Sequence, residues 1–285
     1  MTDEKYQAEA FKSAMKMCAS VLKPRMQIAH IVPIANVLAG FRQPVEMYLA
    51  HKILQNPDEY AKLRQFSNST FELGDRVMMV DNSAYELTYL QNRPPLEMAE
   101  VIEAAEVIGA NEIVLRDWPG DGARSLQMTF ESLNEVEKSG WRQPGRRVVA
   151  IVAGKTFEQW VEHFQILSGV SEIDVIGIPK YLASMGATPY MGRTEFMKLC
   201  GSKSGKAIHF FGCTFGLIEL MGLPRWAAPR SMDTSWFVHN AERGYPVWKM
   251  RTEQDKELDL DTALSDPTIA KVAAEVDQWI EKYIV

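Results

Sequence analysis

The sequence predicts an α/β fold, a single (β/α)8 barrel (TIM barrel), and three observations lead there. Short strand-like runs alternate with amphipathic helical stretches, the rhythm of βα units on a parallel sheet. The runs are apolar almost throughout, as strands buried on both faces are. The chain has 285 residues, an ordinary length for one barrel.

The elements follow in chain order. Residues 5–22 read as an amphipathic helix, with Phe11, Met15, Ala19 and Leu22 at helical spacing. Residues 27–34 read as a first strand. Residues 45–65 are expected to be helical, with a break and restart at Asn56-Pro57-Asp58. Five clear strands come next: 76–81, 112–117, 147–153, 172–178 and 207–212. Helices are expected between them at 95–109, 124–139, 156–168, 191–201 and 214–221. A last amphipathic helix spans 267–284. The loop 180–192 is the best candidate for a lid, and 240–262 reads as polar and irregular. Doubly wound sheets alternate β and α as well, so periodicity alone leaves the two architectures open. The strand count favours a barrel: the five, the first strand, and short ones near 225–228 and 231–237 approach eight. No linker or repeat divides the chain, so residues 1–285 are expected to form one domain, with the terminal helices outside the barrel.

Composition narrows the function classes. Hydrophobic residues make up 46% and charged residues 24%, which describes a globular protein rather than a disordered one. The net charge of −6 means that contact with nucleic acid has to come from a local basic patch. Cys18, Cys200 and Cys213 are far apart and form no close pair, so no structural zinc is expected. An odd cysteine count without a secretory h-region suggests a reducing, cytoplasmic setting. No apolar run reaches the ~18 residues a membrane span needs.

Three aspartates stand where strands are expected to run out into loops. Asp81 ends Arg76–Asp81, Asp117 ends Glu112–Asp117, and Asp233 lies in Arg230-Ser231-Met232-Asp233-Thr234-Ser235. Carboxylates gathered at the C-terminal strand ends of a barrel would perturb one another's pKa, giving an acid/base and a nucleophile for attack at a sugar carbon. For any one of them the alternative is structural: an Asp after a strand also caps the next helix or closes an Asx-turn.

These residues sit in a familiar order. Val80-Asp81-Asn82-Ser83-Ala84-Tyr85-Glu86 resembles the Asp-Ser-Gly-Gly-Phe-Gln segment of tRNA-guanine transglycosylases. Ile113–Asp117 resembles the strand carrying that family's base-reading Asp. Ile151-Val152-Ala153-Gly154 falls where the family has Val-Gln-Gly, and Ile176-Gly177-Ile178-Pro179 where it has a glycine-rich strand end. His209-Phe210-Phe211-Gly212 resembles a Leu-Met-Gly strand, and Ser231–Thr234 falls at the nucleophile. The order holds from about residue 76 to 237. The chain is most similar to the short, zinc-free branch found in bacteriophages and bacterial DNA-modification clusters, the DpdA-type DNA 7-deazaguanine transglycosylases. Ala153 stands where the family has a glutamine that contacts the base, and Gly177-Ile178-Pro179 where it has a Gly-Gly pair.

The resemblance implies exchange of guanine in DNA for a free 7-deazaguanine base of the preQ0 type, without a cofactor, in the host cytoplasm if the protein is phage-encoded. Asp233 would attack C1′, Asp81 would move the proton, and Asp117 would read the base together with Ser83, Ala153, Gly154, Gly177 and Gly212. Arg225, Arg230 and Arg243, with Lys249 and Arg251, bracket Asp233 and would hold phosphates; a solvated surface is the alternative. Arg142, Arg146 and Arg147 precede a strand, at the face away from the chemistry. Tyr85, Trp118 and Trp236 adjoin the aspartates and would either stack on a flipped base or pack in the core. His209, inside an apolar strand, reads as a core histidine. Three other functions share this fold: exchange on tRNA, a silent nucleic-acid-binding barrel, and a hydrolase using two carboxylates on a glycosidic bond.

Overall fold

The computed structural model describes residues 27–31, 33–39, 43–68, 70–71, 74–185, 192–201, 204–212, 223, 225–235, 240 and 243–245. The helices expected at 5–22, 214–221 and 267–284 lie outside the described residues. So do Cys18, Cys213, Trp236, Lys249, Arg251, residues 186–191 of the expected lid and most of 240–262.

Eight strands form one parallel sheet: β1 (Gln27–His30), β2 (Val45–Leu49), β5 (Val77–Asp81), β6 (Glu112–Val114), β7 (Arg147–Ile151), β8 (Val175–Pro179), β9 (Ala207–Phe211) and β10 (Ser231–Thr234). A separate antiparallel pair, β3 (Thr70–Phe71) and β4 (Gly74–Asp75), lies between β2 and β5 in the chain. The order in the main sheet is β1-β10-β9-β8-β7-β6-β5-β2. From β2 onward each strand of this sheet neighbours the next in the chain, and the last neighbours the first, with Ala29 opposite Asp233. A doubly wound sheet reverses direction at a switch point. This order has no reversal and is that of a (β/α)8 barrel, with β1 and β2 at the two ends of the order.

Helices alternate with the strands: α1 (Ile34–Leu38), α2 (Ala50–Gln55), α3 (Pro57–Tyr60), α4 (Met98–Ile108), α5 (Gly122–Ser139), α6 (Phe157–Gly169) and α7 (Gly192–Cys200). Their boundaries follow from local chemistry. A capping box between Glu97 and Glu100 starts α4, and Gly109 ends it in the left-handed region at φ 69°. Asp121 caps α5 by accepting from the Arg124 N–H at 3.1 Å, and Thr156 caps α6. On α4 the residues Met98, Val101, Ala104, Ala105 and Ile108 are buried, one face at helical period.

Three expectations are corrected. Residues 45–65 are not one helix: Val45–Leu49 is a strand paired with β5, followed by α2, α3 and a 3-10 helix at Ala61–Phe66. The segment near 225–228 is a 3-10 turn, Arg225–Ala227, so β2 supplies the eighth strand in its place. β6 ends at Val114, three residues before Asp117, although the Leu115 N–H still donates to the Val149 carbonyl at 2.8 Å.

The chain divides into two compact units. One holds Pro44–Pro179 with Lys203–His209; the other holds the described residues up to Gln43, those of Lys180–Ser202 and those from Phe210 onward.

Candidate active site

In the unit containing Pro44–Pro179, the site is built on the residues that follow β5, β6 and β7. Asp81 is the last residue of β5 and is buried, and every residue of that strand is buried. Its Oδ2 accepts from the Ser83 N–H at 3.0 Å, which closes an Asx-turn. Asn82 repeats the device, its Oδ1 accepting from the Ala84 N–H at 2.8 Å. Ser83 pays for this double turn with a left-handed backbone, φ 60°, uncommon for a residue with a side chain. Its hydroxyl oxygen accepts from the His51 N–H at 3.3 Å. The local role foreseen as an alternative for Asp81 is thus present, in a loop held rigidly.

Asn82 carries the connection to the next strand. Its Nδ2 donates to the Leu115 carbonyl at 2.6 Å and to Asp117 Oδ1 at 2.8 Å. Asp117 is 3% exposed. Burial pushes its carboxyl up to about 6, and the Asn82 hydrogen bond works against that rise. Asp117 does not cap the following helix; Asp121 does. Among the described residues its Oδ2 has no hydrogen-bond partner. This carboxyl is therefore fixed by one oxygen, leaving the other for a ligand N–H. Asn82 was not singled out by sequence reasoning, because an Asn after a strand-end Asp reads as a turn former.

The segment after β7 is held from behind by α6. The Ala153 N–H and carbonyl both lie against His163 Nδ1, at 3.0 and 2.9 Å, and Trp160 Nε1 donates to the Gly154 carbonyl at 2.9 Å. Burial holds His163 below its ordinary value, against the hydrogen bond its ring makes to the Ala153 carbonyl. Two glycines permit this packing: a Cβ on Gly122 would come within 2.8 Å of the Ala153 oxygen, and one on Gly154 within 2.9 Å of Trp160. Gly177 lies within β8, its carbonyl taken by the Val152 N–H at 2.9 Å. Tyr85 stacks on Tyr89 at 5.6 Å and is part-exposed. The Arg124 guanidinium lies 3.3 Å over the Trp118 ring.

In the other unit Asp233 is the third residue of β10, inside the strand rather than past it, and is 3% exposed. Its Oδ1 accepts from the Gly212 N–H at 2.9 Å. Gly212 follows β9 at φ 68°, where a Cβ would also meet Lys180 at 2.9 Å. Arg193, fully buried on α7, fixes this turn by donating to the Phe211 and Gly212 carbonyls at 3.1 and 2.8 Å while stacking on Phe210. Sequence reasoning missed Arg193, since an arginine in an amphipathic helix reads as solvated surface.

The basic residues around Asp233 do not all gather beside it. Arg230 precedes β10, at the N-terminal end of the strand, and its Nε donates to Ser231 Oγ at 3.2 Å. Arg225 opens the 3-10 turn, and Arg243 lies in a half-buried turn. His209 is fully buried, as a core histidine should be. Among the described residues no helix is long and apolar enough to cross a membrane. Compared with known proteins, the chain matches no family model and no curated protein sequence.

Proposed function

We propose that the chain is a base-exchange transglycosylase that replaces guanine in DNA with a 7-deazaguanine. The observation that carries this reading is Asp117: a buried carboxyl, tied to the loop of Asp81 through Asn82, with one oxygen bonded and no hydrogen bond to the other among the described residues. A carboxylate so placed is an acceptor for the ring N–H and exocyclic amine on the edge that guanine shares with its 7-deaza analogue. A glycosidic hydrolase acting with two carboxylates has no use for such a reader.

The reaction runs in two displacements. The Asp233 carboxylate attacks C1′ of a flipped deoxyguanosine, the C1′–N9 bond breaks, and guanine leaves with the electron pair and a proton delivered through Asp81. The incoming base then gives up a proton, its N9 attacks C1′, and the Asp233 carboxylate is released. The Gly212 N–H on Asp233 Oδ1 aims the nucleophile, and Arg193 fixes Gly212 in turn.

Incubation with labelled guanine and DNA, with tRNA as the parallel arm, tests the reading. Label is expected in DNA, with a covalent adduct on denaturing gels that disappears in Asp233→Asn. Label entering tRNA alone would move the substrate to RNA. An adduct that survives Asp233→Asn and is lost in Asp81→Asn would reverse the two roles, and no label in either polymer would end the proposal.

A further inference from the structure

The N-terminal edges of β5, β6 and β7 carry Arg76, Asn111 and Arg146, each one residue before its strand. This is the end of the strands opposite Asp81 and Asp117, and conserved function in barrels is seldom expected there. Yet these residues, with Arg64 and Glu106, line a cavity of about 510 Å³ within the Pro44–Pro179 unit. A volume in this range suits a small ligand.

The charges in its wall do not cancel. Arg146 makes a two-pronged pair with Glu106, at 2.5 and 3.3 Å. Its guanidinium also lies 4.0 Å over the Trp141 ring, which fixes the plane. Arg64 reaches the same Glu106, 4.0 Å from the carboxylate, and donates to the Glu106 carbonyl. One carboxylate thus serves two guanidiniums. Arg76 is 1% exposed, pairs with buried Glu46 and donates to the Phe66 carbonyl, but among the described residues its Nε has no hydrogen-bond partner. With Arg76 met by Glu46, two guanidiniums of the lining, Arg64 and Arg146, share the single carboxylate of Glu106. An orphaned buried donor costs free energy that an anion would recover. Gly109, with φ 69°, lies against the Arg64 stem; a Cβ there would meet Arg64 Cγ and Ser67 Cβ at 3.3 Å, so the wall is built closely.

We propose that this cavity binds a small dianion, a phosphate monoester or free phosphate, held by the guanidiniums of Arg64 and Arg146 in competition with Glu106, with Arg76 in the same wall. Planar guanidiniums match phosphate oxygens two at a time. The site is independent of the base-exchange reaction and would let a phosphorylated metabolite occupy the opposite end of these strands.

Calorimetric titration of the full chain with inorganic phosphate, and separately with ribose 5-phosphate, tests this. Saturable binding is expected with at least one probe. Arg64→Gln, at a side chain 61% exposed and outside the core, should weaken it by about tenfold, the size of one charge-assisted bond. Glu106→Gln should act in the opposite direction and tighten it, because the competing carboxylate is gone. Absence of saturation at millimolar concentrations of both probes would overturn the proposal, as would equal affinity in wild type and Arg64→Gln. Displacement of phosphate by a short single-stranded oligonucleotide, lost in Arg64→Gln, would assign the cavity to a polymer backbone and overturn the small-ligand reading.

Discussion

Asp117 is an acid whose surroundings oppose its charge, and this has consequences of opposite sign for stability and for chemistry. Its folded pKa is raised from 3.8 to about 6. The ionised form therefore weakens the fold above about pH 6, and the penalty is relieved as pH falls through that value towards 3.8. The shift corresponds to about 3 kcal/mol as an upper scale. Asp117→Asn removes the penalty while keeping an oxygen for Asn82. Its Tm is expected to exceed the wild type's well above pH 6, with the gap closing in acid; an equal or lower Tm at alkaline pH would contradict the burial argument. In the proposed reaction only the ionised form accepts both base N–H groups, so exchange should fall as pH drops through about 6, read from the acid limb of kcat/KM. The Asn variant gains stability and loses base affinity. Asp81 and Asp117 were legible because each closes an apolar run. Asn82 and Arg193 were not, since their importance lies in partners about 35 and 20 residues away in the chain.

Elements were legible where a breaker marks their ends. The helices between β5 and β8 begin at a cap and two of them end at glycine, and the expected bounds fall within a few residues of the observed ones. β2 was hidden for the converse reason. Leu49 is extended and Ala50 already helical, with no glycine, proline or asparagine between them. Glu46, a good helix former, is buried there because Arg76 and Tyr48 satisfy its carboxylate. The close approach of α5 to the segment after β7 gives a test at this scale. Gly122→Ala puts a Cβ 2.8 Å from a backbone oxygen, which cannot yield as a flexible side chain would. A loss of about 1–3 kcal/mol is expected despite the better helix propensity of alanine. Gly169→Ala, with nothing within 4 Å of the added methyl, should be neutral or stabilising by up to about 1 kcal/mol. Equal unfolding midpoints in urea for the two variants would show that the loop relaxes freely.

For the whole molecule the net charge of −6 sets the terms of any contact with nucleic acid. Binding is expected to be modest and to weaken steeply with salt, because a few local cations act against an overall repulsive field. Arg243→Gln should reduce the salt slope by about one unit, as one phosphate contact does. Arg230→Gln, at the far end of β10 from the strand's exit, should leave the slope nearly unchanged. Equal effects of both, measured by fluorescence anisotropy over a salt series, would place the phosphate path along β10 instead. The barrel class itself was legible from rhythm and strand count, while the choice of which segment made the eighth strand was not.

The pairing of the first strand with the last also governs the order in which the molecule can be made. β1 and β10 lie about 200 residues apart, so β1 leaves the ribosome long before its partner exists. Until then its backbone donors and acceptors present an open edge, the kind that recruits chaperones or other chains. The run from β5 to β8 pairs between successive neighbours and closes much shorter loops. Amides of β5–β7 should therefore gain protection early in pulse-labelled refolding, with those of β1 last. Protection of β1 in the first phase would mean that the long loop closes before the short ones.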